Sequence, residues 1–297
     1  MNRVTANLLL LAAGAIWGGG FIAQSTAMQS IGPVFFTGLR FGVAALAVLP
    51  LALWESRMAG AAFAPAPWEW KRFALLGTLL FLSLAAQQVG LLTTSVTNSG
   101  FLTGLYVVIT PVLGIVLWRV FPHPVVWPAA LLSLAGIFLL SGGRMSGLAP
   151  GDLWTLACAA FWAFHVQFLG RFVTGERPFR LAFAQFLVCA VLGIVAAPML
   201  EPVSLAMIPA SAREILFAGV ISGGVAFTLQ AVAQRHTTAP QAAIFMSSEA
   251  LFAAFFGALV LGERIGPAGL AGCALVFCAM LAVELVPMMR RAAAGRA

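Results

Sequence analysis

The residues best able to do chemistry in this chain sit inside long apolar runs. Arg40 and Glu249 are the two full charges well away from the ends of those runs. Such a charge costs about 2.5–3.5 kcal/mol or more at the centre of a membrane helix, so each must face protein or water. A guanidinium can receive a solute carboxylate, and a shielded carboxyl can hold a proton. Structural roles are the alternative for both: Arg40 paired with Glu249 or with backbone carbonyls, and Glu249 as a buried contact.

Neutral polar side chains accompany them. Ser99, Thr103, Tyr106 and Thr110 recur at i, i+4, i+7 and i+11, a spacing that places them on one helix face, with Asn98 about 100° away. Gln87 and Gln88 lie together in one run, Gln230 and Gln234 share a face in another, and Gln185 stands alone. Amides in lipid need partners, so these face the bundle interior, either to hold a solute or to join helices. Trp17 and Trp162 each lie near the middle of a run, whereas tryptophan favours membrane interfaces. A ring at mid-depth can wall a cavity and stack on a solute, or simply pack. Phe21 and Gln24 share a face with Trp17, and His165 shares one with Trp162. A lone histidine of this kind is more often a helix contact than a proton relay.

These residues need a scaffold of spanning helices. The chain is 62% hydrophobic and 8% charged, with a mean hydropathy of +1.02, against about 25% charged in a soluble domain. Runs of roughly 20 apolar residues recur, each sufficient to cross a bilayer core of about 30 Å. Ten spans are expected, near 6–26, 33–53, 73–92, 97–118, 125–142, 150–170, 178–199, 213–234, 239–261 and 265–287. The runs do not alternate, which points to helices and away from a barrel.

The net charge of +7 does not mark a nucleic-acid binder, because the basic residues sit at span ends. With a cytoplasmic N-terminus, Arg3, Arg57, Lys71, Arg72, Arg119, Arg171, Arg177, Arg180, Arg235, Arg290, Arg291 and Arg296 fall inside. Only Arg144, Arg213 and Arg264 fall outside. That bias puts both termini in the cytoplasm. The first run resembles a signal peptide, but its apolar character continues past Phe21. Cys158, Cys189, Cys273 and Cys278 all lie in spans and read as small buried residues, with no disulfide or metal spacing. No cofactor or metal is expected.

Two stretches nearly repeat each other. Ala15-Ile16-Trp17-Gly18-Gly19 with Pro33 returns 145 residues later as Ala160-Phe161-Trp162-Ala163-Phe164 with Pro178, and the same offset maps Phe41 onto Phe186. Gln88–Ser95 and Gln230–Thr237 match at an offset of 142. The glycines after Trp17 allow close approach or a local helix distortion beside the ring. Five spans per repeat is an odd number, so the second half, 146–297, enters the membrane opposite to the first, 1–145. The expected fold is an all-α membrane protein of ten transmembrane helices in two inverted five-helix repeats. That architecture recurs in secondary transporters, whose sites lie near the midplane between the halves.

The ten-span layout, Ala15-Ile16-Trp17-Gly18, and Thr93-Thr94-Ser95 leading to Asn98, Phe101-Leu102-Thr103-Gly104 and Pro111 resemble the drug/metabolite transporter superfamily, more narrowly its EamA-type members. Gly262-Glu263-Arg264 is similar to the Gly-Glu-Arg that follows span 9 in that family. Glu249-Ala250 departs from the family's Glu-Pro, and Trp118-Arg119-Val120 stands in the first half where Gly-Glu-Arg is absent. By general likeness, amino-acid exporters of the YddG type look closest.

The resemblance implies a secondary transporter in a bacterial inner membrane, exporting small uncharged or zwitterionic solutes, amino acids first, by alternating access. Its partners would be a small-molecule substrate and the lipid bilayer, with the protein a monomer or weak homodimer. Efflux of hydrophobic drugs or cations is the alternative. An intramembrane serine protease would need Ser222 near His165 or His236, but His236 is about 21 Å along the same helix from Ser222. A channel would need a ring of repeated carbonyls or charges, which the sequence lacks. The expected binding set is Trp17, Phe21, Gln24, Arg40, Gln87, Gln88, Asn98, Thr103, Tyr106, Trp162, His165, Gln185 and Gln230, with Glu249 for coupling.

Overall fold

The computed structural model describes residues 1–94, 96–140, 149–261 and 265–294. Every regular element among them is a helix. Among the described residues nine stretches are long and apolar enough to cross a bilayer, and Val126–Leu140 is a further, shorter apolar helix. The chain is a multi-pass membrane protein.

Its helices are α1 (Arg3–Ala27), α2 (Pro33–Met58), α3 (Pro67–Gly90), α4 (Val96–Gly104), α5 (Tyr106–Trp118), α6 (Val126–Leu140) and α7 (Pro150–Phe172). There follow α8 (Pro178–Leu200), the short α9 (Met207–Ala210), α10 (Ala212–Leu216), α11 (Phe227–Gln234), α12 (Ala239–Met246), α13 (Glu249–Leu261) and α14 (Pro267–Ala294). Proline opens α2, α3, α7 and α8, where its fixed φ suits the first turn and no N–H is needed.

The structure changes several expected elements. The third span begins at Pro67, ahead of the expected 73, because the Ala66 N–H donates to the Glu69 carboxylate at 2.5 Å and starts the helix early. The fourth span is interrupted at Leu105 and the ninth at Ser247–Ser248. Pro111, just past the first interruption, has no N–H for the Val107 carbonyl one turn before it. At the second, the Ser247 hydroxyl bonds back to the Ile244 carbonyl at 2.7 Å, a contact that bends helices. Between α10 and α11, Phe217–Ala226 forms a ten-residue π-helix. Cys158 and Cys189 are buried as expected, but Cys273 is half-buried and Cys278 exposed. Their helix turns that face outward, where lipid is the natural neighbour. Arg144, Ser95, Arg296 and the Gly262-Glu263-Arg264 motif lie outside the described residues.

The most extensive contact joins α2 to α8. Their backbones meet where Gly38 faces Gly193: a Cβ on Gly38 would come within 2.7 Å of the Ile194 nitrogen. Phe41 packs on Phe186 with ring centroids 5.6 Å apart. The ends are tied by carboxylates. Glu201, following α8, accepts from the Val34 and Phe35 N–H groups at 3.1 and 2.7 Å. Glu55, near the end of α2, accepts from the Arg180 N–H at 2.9 Å. Each carboxylate meets free donors at the other helix's N-terminus.

Other pairs surround this one. The α3 helix packs on α7, α6 on α14, and α1 on both α13 and the π-helix. Beside Glu55, the buried Arg180 guanidinium grips Glu69 through two bonds of 2.8 and 2.5 Å and donates to the Phe63 carbonyl at 3.1 Å.

Candidate functional site

Trp17 and Trp162 stand edge to face, with ring centroids 5.8 Å apart and planes at 82°. Phe227 touches both, at 4.8 and 5.6 Å. It also reaches Phe41 at 5.5 Å and Phe186 at 6.1 Å. These five rings come from α1, α2, α7, α8 and α11 and form one aromatic cluster at the centre of the bundle. The Trp17 indole donates to the Ser222 carbonyl at 3.1 Å. This carbonyl lies in the π-helix, whose wider turn shifts the backbone ladder to i→i+5.

Against this cluster lies a cavity of about 40 Å³, lined by Trp17, Phe21, Gln24, Arg40, Ser83, Leu84, Gln87, Thr103, Cys158, Trp162, Ser222, Phe227 and Glu249. It has room for a water molecule or two, far less than the roughly 300–1,000 Å³ of an ordinary ligand pocket. Both intramembrane charges face it. Arg40 donates to the Gln24 carbonyl oxygen at 2.8 Å, and its guanidinium lies 5.0 Å from the Phe41 ring centroid. Among the described residues Arg40 forms no ion pair with Glu249. Glu249 is the first residue of α13, so the helix interruption delivers its carboxylate to the cavity. Gln87 donates to the Thr103 hydroxyl at 3.3 Å, and the Ser83 hydroxyl meets the Cys158 carbonyl at 3.2 Å.

Eight of the residues singled out by sequence therefore meet: Trp17, Phe21, Gln24, Arg40, Gln87, Thr103, Trp162 and Glu249. Others lie elsewhere. Tyr106 is fully buried with its ring against Trp162 at 6.4 Å. His165 stacks on Trp162 and hydrogen-bonds Gln185 at 2.8 Å. Gln230 donates to Gln234 at 3.0 Å, and Gln234 to the Val166 carbonyl at 3.1 Å. Gln88 approaches only the Met28 sulfur, at 4.0 Å. The side chain of Asn98 lies outside the described residues. Of the polar stripe, only Thr103 reaches the cavity; the interruption at Leu105 separates it from Tyr106 and Thr110.

The cavity also takes in Ser83, Leu84 and Phe227, which sequence reasoning passed over, together with Cys158, expected only as a small buried residue, and Ser222, weighed only as a protease nucleophile. A signal existed for two of them. Ser83 is one helical turn before Gln87, and Cys158 one turn before Trp162, so both share a face with a residue already singled out. Of the two roles expected for the glycines beside Trp17, close approach is seen and helix distortion is not. The α1 helix runs unbroken through them, and the distortion lies in the π-helix opposite. A Cβ on Gly18 would come within 2.6 Å of the Ala253 nitrogen and 2.7 Å of the Glu249 carbonyl, so this glycine lets α13 approach.

A second cavity, of about 470 Å³, opens at the end of the bundle where α1 begins. Arg3, Trp118, Gln167, Arg171, Thr237 and Gln241 are among its walls. Buried Tyr106, Val107 and Thr110 lie between Thr103 in the central cavity and Gly114 in this one, a rise of about 16 Å along the span.

A bundle of apolar helices with interrupted spans and a polar cavity at its core has the architecture of a membrane carrier. The model of the EamA-like transporter family matches residues 4–142 and again residues 149–285, and the chain belongs to that family, within the drug/metabolite transporter superfamily. It is a membrane transporter and not an enzyme. An uncharacterized transporter of Archaeoglobus fulgidus is 30% identical over 290 residues, covering 96% of this chain and 87% of that protein. The uncharacterized transporter YwfM of Bacillus subtilis is 26% identical over 299 residues, covering 97% and 96%. A crystal structure of a protein 18% identical superposes with a TM-score of 0.79 over 96% of this chain and 98% of the other, a likeness of fold.

Proposed function

We propose that the protein is a secondary transporter that exports small zwitterionic or uncharged solutes, amino acids first, from a bacterial cytoplasm by alternating access. One observation carries this reading: a single cation, Arg40, and a single anion, Glu249, face one cavity walled by Trp17, Phe21 and Phe227. An amino acid has a carboxylate for the guanidinium and an apolar body for the rings. Gln24 holds Arg40 in place without neutralising it. Trp17, Phe21, Gln24, Arg40, Gln87, Thr103 and Trp162 are the proposed binding set, and Glu249 the proposed proton-coupling group.

The same reading takes the chain as ten spans in two inverted repeats, 1–145 and 146–297, with both termini cytoplasmic. Supporting it, the family model matches twice, and positions 145 residues apart touch each other in the pairs Trp17–Trp162 and Phe41–Phe186. In that orientation the larger cavity is a cytoplasmic vestibule, and the buried layer at Tyr106 is the barrier between it and the site.

The test is efflux from liposomes loaded with labelled amino acids, with and without a pH gradient. Release above that of empty-vesicle controls, lost in Arg40→Gln, supports the reading. No release of any amino acid, together with release of a lipophilic cation, would replace it with drug efflux, the reading favoured by a Glu249 carboxylate that has no ion-pair partner among the described residues.

A further inference from the structure

A groove of about 640 Å³ runs along the outside of the bundle between α1, the π-helix and α13. Ile16, Gly19, Ala23, Phe217, Ile221 and Phe256 form its walls, and Arg213 and Glu214 also line it. Its apolar part lies within membrane-spanning segments, so hydrocarbon is what covers it. From Ala15 to Thr26 the groove follows α1 for about 16 Å, close to half of a bilayer core of about 30 Å. That is the length available to one acyl chain in one leaflet.

The two charges mark the headgroup end. Trp17 bonds Ser222, and the chain from Arg213 to Ser222 runs antiparallel to α1, so Arg213 comes level with Thr26 at the end of α1 away from Arg3. Arg213 is exposed. Among the described residues neither Arg213 nor Glu214 enters an ion pair. A guanidinium and a carboxylate on consecutive residues that both line the groove complement a headgroup with an anion and a cation a short distance apart. Phosphatidylethanolamine has this pattern, with a phosphate for Arg213 and a primary ammonium that donates to Glu214. The ten-residue π-helix widens the groove wall at Phe217 and Ile221.

We propose that this groove is a specific phosphatidylethanolamine site, with Arg213 on the phosphate, Glu214 on the ammonium and one acyl chain laid between α1 and the π-helix. The site rests on the membrane-spanning fold and is independent of which solute is transported. Because α1 carries Trp17 on one face and Gly19 and Ala23 on the groove, the bound lipid would bear on the helix that walls the central cavity.

Native mass spectrometry of the purified full-length protein with equimolar palmitoyl-oleoyl phosphatidylethanolamine, phosphatidylcholine and phosphatidylglycerol tests this without any transport assay. The ethanolamine lipid should stay bound under activation that strips the other two. Arg213→Ala should lower its retention about fivefold, the worth of one basic side chain near a lipid phosphate. Glu214→Gln should abolish the preference over phosphatidylcholine, and Ala23→Phe, which fills the groove, should reduce retention of all three. Equal retention of the three lipids by the unaltered protein would overturn the proposal, as would an unchanged profile in both charge variants. Arg213→Ala and Glu214→Gln alter rim residues, so a melting curve like that of the parent separates lost binding from lost folding.

Discussion

Glu55 and Glu201 perform the same task at opposite ends of one helix pair: each caps the N-terminus of the helix to which the other belongs. The two are 146 residues apart, and their recipients Phe35 and Arg180 are 145 apart. With Gly38 against Gly193 and Phe41 on Phe186 between them, α2 and α8 are fastened along their whole length. We propose that motion opening the site belongs to the elements whose ladders are already interrupted, the α4–α5 and α12–α13 spans and the π-helix, because rigid rocking of one half against the other would part these caps.

Removing either cap should cost stability without removing function. Glu55→Ala and Glu201→Ala are each expected to lower unfolding stability by about 1 kcal/mol, and the double variant by about the sum, since the sites are far apart and share no partner. Denaturation in detergent checks the values. A double variant no weaker than the single ones would mean the pair is not held in this way.

A cross-link within the pair should be harmless. A Cβ built on Gly42 lies 4.0 Å from the Ala190 Cβ, within disulfide range. Gly42→Cys with Ala190→Cys, in a background lacking the four native cysteines, should oxidise readily and leave liposome efflux within about twofold of the reduced form. Efflux that stops on oxidation and returns on reduction would show that α2 and α8 must separate.

Two neighbouring glycines should differ sharply. Gly18→Ala drives a methyl into the α13 backbone beside Glu249, and should destabilise by about 1–3 kcal/mol. Gly19→Ala places its methyl 3.5 Å from the Phe256 ring, an ordinary contact, and should be near neutral. Melting temperatures of the two variants make the comparison.

Arg40→Gln should raise the KM for amino acids by about 10- to 100-fold, the loss of one charge-assisted hydrogen bond. The effect on decarboxylated amines of the same shape should be small. Gln24→Ala should give a weaker version of the same change, since it only orients the guanidinium. Parallel uptake measurements on the two solute series separate loss of a carboxylate contact from general damage.

Glu249→Gln should keep solute exchange but lose the response of net efflux to a pH gradient. Counterflow and gradient-driven assays on the same vesicles distinguish the two. Loss of both together would make Glu249 part of solute binding.

The tryptophans were legible because mid-span placement is unusual for that residue and because the 145-residue spacing pairs them in the sequence itself. Arg40 and Glu249 were legible because charge in an apolar run must find water or protein. Hydropathy could not show the interruptions at Leu105 and Ser247–Ser248, since it averages over runs that a single turn barely alters. Polar type alone did not mark the lining of the cavity. His165 and Gln185 bond each other, Gln230 donates to Gln234 and Gln234 to the Val166 carbonyl, none of them lining the cavity, while His165 Nδ1, the Gln185 amide nitrogen and Gln230 Oε1 have no partner among the described residues. Phe227, the ring that touches most of the cluster, has a type that is everywhere in this chain and carries no signal.

The central cavity is too small for any amino acid. On the proposed reading a solute must therefore displace the walls on arrival, Trp17 and Trp162 among them, and the work of doing so comes out of its own contacts. Affinity measured at equilibrium will understate how well the solute fits the opened form, by the fraction of molecules that are open. A compound that fills the opened space without satisfying Arg40 would hold the rings apart and gain little from doing so. Discrimination in such a carrier is exercised against the act of entry, and the cheapest way to relax it is to trim a wall: Trp17→Phe should admit bulkier solutes before it weakens the retention of small ones.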